Sequence, residues 1–360
     1  MNMMTEDRQL KTGNSIAAFR QAVDSGLARL TGIQSSVLSP LPSGLRGSLK
    51  LDEPMSRHTS WRAGGVAERF YQPADLDDLR AFMQSLPAGE PIVTVGLGSN
   101  LLVRDGGIKG TVILLHGALR ELRLAENGSI YVQAGVPGAK LARFAAMHDM
   151  SGAEFFAGIP GTVGGMLAMN AGCYGNETWN CIQEVEIVTR LGELLLRRPE
   201  EYEIGYRHVE RIEARGERSA RASPTGKVED ITSNLEPQYH ELFAGARMRF
   251  APGNGDEARR KIKELLGKRI ASQPLNLPNA GSVFRNPQDD HAARLIELTG
   301  LKGKRIGGAE VSEKHANFIV NRGGAKAKDI EELISLVQRE VKEKTGVLLH
   351  PEVRIVGEHE

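Results

Sequence analysis

Cysteine is nearly absent from this 360-residue sequence, since only Cys173 and Cys181 occur. Two thiols cannot cross-link a chain of this size, so a reducing, cytoplasmic compartment is favoured over secretion. The spacing of the two thiols and the missing partner ligands also argue against a metal site. We therefore expect a cytoplasmic protein without a bound metal.

Net charge and long apolar runs are also lacking. The formal net charge is +1, so no global field attracts nucleic acid or an anionic membrane, although a local basic cluster could bind a phosphate. No continuous apolar run reaches the ~20 residues that span a bilayer. The polar N-terminus has no apolar segment of the signal-peptide type. We expect a protein that neither binds nucleic acid nor inserts into a membrane.

Length and composition are those of an ordinary globular protein. Hydrophobic residues make up 40% of the chain and charged residues 25%, which at this length indicates two or three domains. Strand-like and helix-like patterns mix without a regular βαβ alternation. This mixture favours an α+β fold over a doubly wound sheet.

Hydrophobic periodicity predicts the main elements. Strands are predicted at 67–73, 91–103, 108–115, 129–136, 239–250 and 347–357. Helices are predicted at 74–86, 138–150, 255–272 and 327–344. The second helix has Leu141, Phe144, Ala145 and Met147 or His148 along one side. The last helix places Ile330, Leu333, Ile334, Val337 and Val341 on one apolar stripe.

Two segments differ from this pattern. Residues 1–46 form an N-terminal extension, partly flexible, with one short amphipathic helix at 15–30 and a linker rich in Ser, Pro and Gly. Residues 208–238 are highly charged and poor in apolar residues, so we expect a mobile surface insertion there.

The first glycine loop is "GLGSNLLV", residues 96–103. The third glycine of a dinucleotide-binding G-x-G-x-x-G motif would fall on Leu101, and the residues that follow do not begin a helix. The Rossmann interpretation therefore fails. Two interpretations stay open: an anion-binding turn, and a tight turn between strands.

The second glycine loop is "FAGIPGTVGGMLAMNAGCYG", residues 156–175, with six glycines around one proline. Such a stretch offers many backbone N–H donors with no side chains in the way. A large planar cofactor that carries phosphate needs this close approach to the backbone. We therefore favour ligand binding here.

Five motifs in order resemble the UDP-N-acetylenolpyruvoylglucosamine reductase family. They are "GLGSNLLV", "GIPGTVGG" with "MNAGCYG", "GYR", "NAGSVFRNP" and "HPEVRIVG". Each motif alone is weak, but the ordered set is highly specific and the resemblance runs from about residue 47 to residue 357. Ser282 and Glu352 are 70 residues apart, which is similar to the family type that lacks an extra substrate-covering segment.

The resemblance implies an α+β fold with a two-lobed FAD-binding domain of the vanillyl-alcohol-oxidase type and a smaller α/β substrate domain. Lobe 1 would span 47–118, completed by a C-terminal strand at 346–360. Lobe 2 would span 119–250, and the UDP-sugar domain 251–345. We expect a monomer.

The resemblance also implies a reaction of peptidoglycan precursor synthesis. FAD would be the bound cofactor and NADPH the co-substrate, and UDP-N-acetylglucosamine enolpyruvate would be reduced to UDP-N-acetylmuramate. Hydride would pass from flavin N5 to C3 of the enol ether, and a proton would then reach C2.

Three residues would carry the catalysis by this resemblance. Ser282 would donate the proton to C2, and Arg207 would face the substrate carboxylate with a permanent positive charge. Glu352 would protonate or hydrogen-bond the developing enediolate, which requires a neutral carboxyl group and hence a pKa raised by burial.

The resemblance assigns two further groups of contacts. Cofactor contacts would be Arg62, Gly96, Gly98, Ser99, Asn100, Leu101, Leu102, Gly158, Ile159, Pro160, Gly161, Thr162, Gly164, Gly165, Asn170, Ala171 and Gly172. Substrate contacts would be Tyr174, Arg269 and Asn286. Substrate contacts from Arg294 and Lys304 are in doubt, and His315 is equally well explained as a structural histidine.

Taken singly, the catalytic residues have ordinary explanations. Ser282 could cap a turn, Arg207 could form a surface ion pair, and Glu352 could lie on an exposed edge strand. A rival at the level of the whole chain is another FAD-dependent oxidoreductase or oxidase of the same superfamily, acting on a small alcohol or sugar. A non-catalytic flavin- or nucleotide-binding module is the second rival.

Overall fold

The computed structural model describes residues 37–38, 41–212 and 241–360. The helix predicted at 15–30 and residues 213–238 of the predicted insertion lie outside the described residues. None of the helices in the described ranges combines the length and the apolar character needed to cross a membrane.

The first sheet has five strands and belongs to the N-terminal part of the chain. Its strands are β1 (Val37–Leu38), β2 (Ser48–Pro54), β3 (Val66–Gln72), β4 (Ile92–Val95) and β6 (Ile108–Leu114). The order is β1-β2-β3-β6-β4, antiparallel from β1 to β3 and parallel from β3 to β4. Helix α1 (Leu76–Ser85) covers this sheet with buried Leu79 and Phe82. The Asp75 side chain caps the helix by accepting from Asp78 N at 3.0 Å.

A short parallel pair connects this part to the C-terminus. Strand β5 (Leu101–Val103) pairs in parallel with β21 (Arg354–Val356), so that Leu102 faces Ile355 across the pair. Only three residues of the predicted strand 347–357 are in a strand. Pro351 interrupts the ladder because it has no N–H to donate, and it makes an isolated bridge with Phe284 instead.

The second sheet also has five strands and is antiparallel. Its strands are β7 (Leu122–Leu124), β8 (Ile130–Gln133), β12 (Ile182–Val188), β13 (Leu194–Arg197) and β16 (Leu242–Met248), in the order β13-β12-β16-β8-β7. Helices α2 (Gly138–Met147), α3 (Val163–Ala168) and α4 (Gly255–Ser272) pack on it around a core that includes Phe156 and Val185.

The apolar side predicted for α2 is confirmed, with His148 and not Met147 as its last member. Leu141 and Ala145 are buried, and the half-buried rings of Phe144 and His148 pack with centroids 4.2 Å apart, whereas Met147 is 64% exposed. The buried face continues through Ala142 and Ala146, because these residues are one helical turn apart and adjacent to the first pair.

Three two-stranded ribbons extend from the second sheet. They are β9 (Met150–Ser151) with β17 (Ala251–Pro252), β10 (Gly172–Cys173) with β11 (Asn176–Glu177), and β14 (Tyr202–Gly205) with β15 (His208–Arg211). Strand β15 corrects the prediction that the mobile insertion begins at residue 208. Its residues pair one to one with β14. Backbone hydrogen bonds hold this ladder, so a polar sequence can form it without the alternation of apolar residues that predicts a strand.

The C-terminal part contains a small sheet and two helices. These are β18 (Arg305–Ile306), β19 (Ala309–Val311), β20 (Ile319–Asn321), α5 (Ala292–Leu298) and α6 (Ala327–Thr345). The apolar stripe predicted on α6 is confirmed, since all five of its residues are at most 2% exposed. They form one core with Trp61 and Leu102 from the N-terminal part, so the two parts share buried surface.

Candidate active site

The two glycine loops lie against each other, although about sixty residues separate them. We call residues 96–102 loop A and residues 158–172 loop B. A side chain at Gly96 would collide with the Thr162 hydroxyl, and one at Gly161 would come within 3.6 Å of Ser99 Oγ. Loop A follows directly after strand β4. Loop B begins in the turn before α3 and includes that short helix. Both interpretations left open for loop A are compatible with this contact.

Space beside the glycines decides whether the loops fit a flavin. Gly98 has φ +60 and touches the backbone of His58 and Thr59, and Gly164 touches Ala134, so chain packing alone requires both glycines. Gly161 and Gly165 differ, because an added Cβ would meet no protein atom closer than 3.6 Å. Their missing side chains leave an open face between the loops. These residues therefore fit a flat, phosphate-bearing group that packs directly on the backbone.

Several of the residues predicted to contact the cofactor use their side chains within the protein. Asn100 Nδ2 donates to Glu352 O at 2.9 Å, and the Asn170 amide is bound to neighbouring groups on both sides. Further side chains are buried in the cores, namely those of Leu101, Leu102, Thr162 and Ala171. The residues among these whose side chains are buried can reach a cofactor only through backbone atoms.

The remaining predicted cofactor contacts lie at the rims of the loops. Pro160 is exposed, Ile159 is half-buried, and Gly158 and Gly172 are held close to Tyr174 and Glu177, respectively. Arg62 is exposed and has φ +56, a left-handed backbone conformation that is uncommon outside glycine. It follows Trp61, whose indole Nε1 donates to Ile319 O at 2.7 Å. This anchor places the Arg62 side chain on the exposed side of the turn.

Arg207 and Glu352 meet although 145 residues separate them in the chain. Arg207 Nε donates to Glu352 Oε2 at 3.1 Å. Arg207 lies in the two-residue turn between β14 and β15, and Glu352 lies two residues before β21. The terminal nitrogens of the guanidinium make no hydrogen bond within the described ranges, so they are free to bind an anionic group.

Burial raises the pKa of the Glu352 carboxyl group, as the sequence analysis requires for an acid. The charge and hydrogen bond of Arg207, together with the charge of Arg285, act in the opposite direction without reversing the shift. Glu352 is only 8% exposed, so the charged form of its carboxyl group is poorly solvated. It therefore holds its proton to higher pH than an exposed glutamate does.

Arg285 is a candidate site residue that the sequence analysis missed. Glu352 N donates to Val283 O, and Arg285 N donates to His350 O, so the two segments run antiparallel. Arg285 and Glu352 are then diagonal neighbours on one face, within reach of a long side chain. Arg285 Nε is buried without a hydrogen-bond partner among the described residues. Its place in "SVFRNP", two residues after Val283, is the sequence signal that could have identified it.

Ser282 is adjacent in the chain to Val283, the residue that pairs with Glu352. It precedes Val283, whose carbonyl accepts from Glu352 N at 2.8 Å, and it follows Gly281, which has φ +78. The serine is half-buried, and its hydroxyl makes no hydrogen bond to the part of the chain that the structure describes. It does not cap its own turn, because Asn279 Oδ1 accepts from Gly281 N in that role.

Tyr174 and Arg269 come together on the side of loop B. Tyr174 Oη donates to Leu265 O at 3.0 Å, which holds the tyrosine on helix α4, and Arg269 Nε donates to Gln273 Oε1 at 2.9 Å. Burial raises the pKa of the Cys173 thiol to about 11, against the charges of Arg269 and Arg207. Both arginines therefore lie near Cys173, and the thiol stays protonated at neutral pH.

The other predicted or doubtful substrate residues have mostly structural partners. Asn286 Oδ1 accepts from the backbone N–H of Ala292, the first residue of α5, at 3.1 Å, which leaves the Asn286 amide nitrogen for a ligand. Arg294 pairs with Asp290 on the surface. His315 is half-buried, and its ring packs edge-on against Phe318 with centroids 4.7 Å apart.

Family models identify two domains that agree with this architecture. A model described as FAD binding domain matches residues 67–196. A model described as UDP-N-acetylenolpyruvoylglucosamine reductase, C-terminal domain, matches residues 273–356. Together with the glycine loops, these matches define an FAD-containing oxidoreductase with an α+β fold.

Curated relatives specify the family. The UDP-N-acetylenolpyruvoylglucosamine reductase of Nitrosospira multiformis is 55% identical over 318 residues, covering 88% of this chain and 90% of the relative, and that of Thiobacillus denitrificans is 53% identical over 329 residues, covering 88% and 94%. This chain belongs to the UDP-N-acetylenolpyruvoylglucosamine reductase family, which acts in peptidoglycan precursor synthesis.

A solved structure supports the same fold. The UDP-N-acetylenolpyruvylglucosamine reductase of Thermus caldophilus superposes with a TM-score of 0.66 and is 30% identical, covering 86% of this chain and 99% of that structure. The resemblance stated from the motifs is therefore confirmed over most of the chain.

Proposed function

We propose that this chain reduces UDP-N-acetylglucosamine enolpyruvate to UDP-N-acetylmuramate with NADPH as the reductant. The reaction adds a hydride to C3 of the enol ether and a proton to C2, and it converts NADPH to NADP⁺. The observation that carries the proposal is the hydrogen-bonded pair of Arg207 and the buried Glu352. The negative charge that develops on the substrate carboxylate is stabilised by a cation and by a neutral acid that donates a hydrogen bond.

Loops A and B would hold the cofactor through their backbone, with the open faces at Gly161 and Gly165 as the closest approach. Bound FAD would supply the chemistry of hydride relay between NADPH and the enol ether. We propose Arg62 and Ser99 as side-chain contacts at the exposed edge of this cradle.

Arg207 would bind the substrate carboxylate. Its Nε is bound to Glu352, and its terminal nitrogens have no hydrogen-bond partner among the described residues, which suits the two oxygens of a carboxylate. This binding would become stronger as negative charge develops next to C2, so it would stabilise the transition state more than the bound substrate.

Glu352 would donate a hydrogen bond to the developing enediolate from its protonated form. Burial keeps the carboxyl group protonated to higher pH, which makes the donation possible. Ser282 would deliver the proton to C2. A hydroxyl group is a weak acid, so it serves only when a strongly basic carbon lies directly beside it, and the turn at Gly281 would hold it there.

Three further residues would bind the UDP moiety. Arg269 would provide a cation for the diphosphate, the Asn286 amide a hydrogen-bond donor, and Tyr174 a wall of the pocket.

NADPH oxidation by the purified, FAD-loaded protein tests this function. We expect rapid oxidation only when UDP-N-acetylglucosamine enolpyruvate is present, with one NADPH consumed per UDP-N-acetylmuramate formed. Oxidation at the same rate without the enol ether would favour a different flavin-dependent oxidoreductase. A purified protein that binds no FAD would contradict both.

A further inference from the structure

We infer that Asn170 is a positioning residue that holds Arg207 in place for catalysis, and that it does so by hydrogen-bonding the backbone of Gly205. The inference rests on the proposed function of Arg207. It assigns Asn170 a role different from the cofactor contact that the sequence predicts.

The Asn170 side chain joins loop B to two other segments, residues 177–179 and Gly205. Its Nδ2 donates to Glu177 Oε2 at 2.7 Å and to Gly205 O at 3.1 Å, and its Oδ1 accepts from Trp179 N at 3.1 Å. The residue is 2% exposed and has φ +39, so its amide is fixed in orientation. A buried amide with these partners cannot rotate without leaving polar groups unsatisfied.

Gly205 is the last residue before the turn that carries Arg207. It pairs with His208, so only Tyr206 and Arg207 lie between the two strands. Arg207 has φ +55, in the left-handed region that non-glycine residues rarely occupy. An isolated two-stranded ribbon is marginally stable, so this turn needs support from outside the ribbon.

The ribbon is supported at two ends. At its base, Tyr202 Oη donates to Glu241 Oε2 at 3.1 Å, and Arg211 pairs with the same carboxylate at 3.0 Å. At its tip, the bond from Asn170 to Gly205 is the contact next to the turn. The base sets the fold of the ribbon, and the tip sets where the Arg207 guanidinium meets Glu352.

Asn170 belongs to loop B, whose glycines would cradle the cofactor. The same residue therefore connects the cofactor loop to the turn that carries the substrate-binding guanidinium. Loss of the Asn170–Gly205 hydrogen bond should therefore slow substrate turnover and leave cofactor binding nearly unchanged.

The variant Asn170→Asp keeps the shape, the acceptor for Trp179 N and a residue type that tolerates a left-handed backbone. It replaces the donor toward Gly205 with an acceptor. We expect FAD content and flavin reduction by NADPH to stay within about threefold of wild type. We expect reoxidation by the enol ether to slow by roughly 10- to 100-fold, as for a misplaced catalytic group.

A charge clash with Glu177 could unfold that variant, and the swapped pair Asn170→Asp with Glu177→Gln removes the clash. The new amide at position 177 then donates to the new carboxylate at position 170, while the Gly205 carbonyl still lacks its donor. We expect this pair to stay folded, with a urea midpoint below that of wild type because the Gly205 carbonyl loses a donor, and to remain slow in reoxidation. Reoxidation at the wild-type rate would overturn the inference.

Two further measurements separate positioning from a general structural role. In an Arg207→Gln background, Asn170→Asp should slow single-turnover reoxidation by less than about threefold, because its effect acts through Arg207. An equal factor in both backgrounds would contradict the inference. In a crystal structure of the swapped pair, Arg207 Nε should lie farther than 3.1 Å from Glu352 Oε2, the separation in the wild-type chain.

The control is Tyr202→Phe, which removes one hydrogen bond at the base of the same ribbon and leaves the tip intact. It should leave reoxidation within about threefold of wild type. If wild-type protein fails to reduce the enol ether at all, the proposed function fails. If wild type is active and both Asn170 variants are equally active, only the positioning role fails.

Discussion

At the scale of single residues, the Ser282 hydroxyl offers the most direct test of the chemistry. We predict that Ser282→Ala leaves flavin reduction by NADPH unchanged and slows reoxidation by the enol ether at least about 100-fold, the lower range for loss of a general acid. Stopped-flow absorbance of the flavin measures the two half-reactions separately.

The same experiment has a clear contrary result. Reoxidation that survives within about tenfold, which is about 1.4 kcal/mol in the barrier, would mean that Ser282 is not the acid. Ser85→Ala is the matched control, since the Ser85 hydroxyl donates to Phe82 O on helix α1 in the N-terminal part of the molecule.

The pH dependence of reoxidation tests Glu352. Because burial raises the pKa of Glu352, the active protonated form persists above the ordinary carboxyl pKa of about 4.3 and is lost as pH rises through the shifted value. We predict that wild-type reoxidation falls along an alkaline limb and that Glu352→Gln, which is neutral at every pH, lacks this limb. The variant should also be slower at low pH, because an amide is a weaker acid.

An identical alkaline limb in both proteins would show that another group titrates. Arg285→Gln sharpens the comparison, because the Arg285 charge opposes the shift of Glu352. Removal of that charge should move the limb to higher pH.

Side-chain roles at this scale were only partly predictable. The motifs predict Ser282, Arg207 and Glu352 as catalytic residues through a family resemblance, and these roles stay predictions. They did not show that Asn100 bonds to the backbone of Glu352 or that Arg285 lies beside its carboxyl group. Such contacts depend on the register between 283–285 and 350–352, which no local pattern encodes.

At the scale of elements, helix α6 is the clearest case of sequence-encoded structure. Its apolar stripe repeats every three and four residues, and Gly346 ends it with φ +75. We predict that Leu333→Ala, a fully buried site, lowers the free energy of unfolding by about 2–5 kcal/mol. Urea denaturation measures this change as a shift in midpoint.

The matched control for that prediction is Leu298→Ala at the end of α5. Leu298 is 65% exposed, so its removal should change the free energy of unfolding by less than about 0.5 kcal/mol. Equal losses at both positions would mean that burial of the stripe does not stabilise the fold.

Short strands were harder to predict than helices. Helix α4 matches its predicted range, whereas β15 lies inside the range predicted to be a mobile insertion. Strand β15 is polar, and its ladder to β14 is made by backbone groups, which every sequence possesses. Hydrophobic periodicity reveals a strand only when one of its faces is buried over several residues. The four-residue strands of this ribbon are too short to show such a pattern.

At the scale of the whole molecule, Trp61 joins the N-terminal and C-terminal parts. Its indole N–H donates to Ile319 O, and Asn321 Nδ2 donates to Trp61 O at 2.8 Å. We predict that Trp61→Phe costs about 1–3 kcal/mol, because the buried Ile319 carbonyl loses its donor. Hydrogen exchange should also become faster in strand β20.

Trp179→Phe is the matched control, since its indole donates to Leu167 O at 2.8 Å within one part of the molecule. It should cost a similar free energy without faster exchange in β20. Faster exchange in both variants would indicate global loosening instead of a broken contact between the two parts.

The sequence by itself determined the α+β class, four of the six α-helices in the described ranges and the two glycine loops, because periodicity, capping residues and clustered glycines act over a few neighbouring positions. It determined the family through ordered motifs. Only the tertiary structure decided which groups meet: the contact between the glycine loops, the bond of Arg207 to Glu352, and the hold of Asn170 on Gly205. These contacts join residues that are 35 to 145 positions apart, and their geometry results from the packing of sheets, which no short segment specifies.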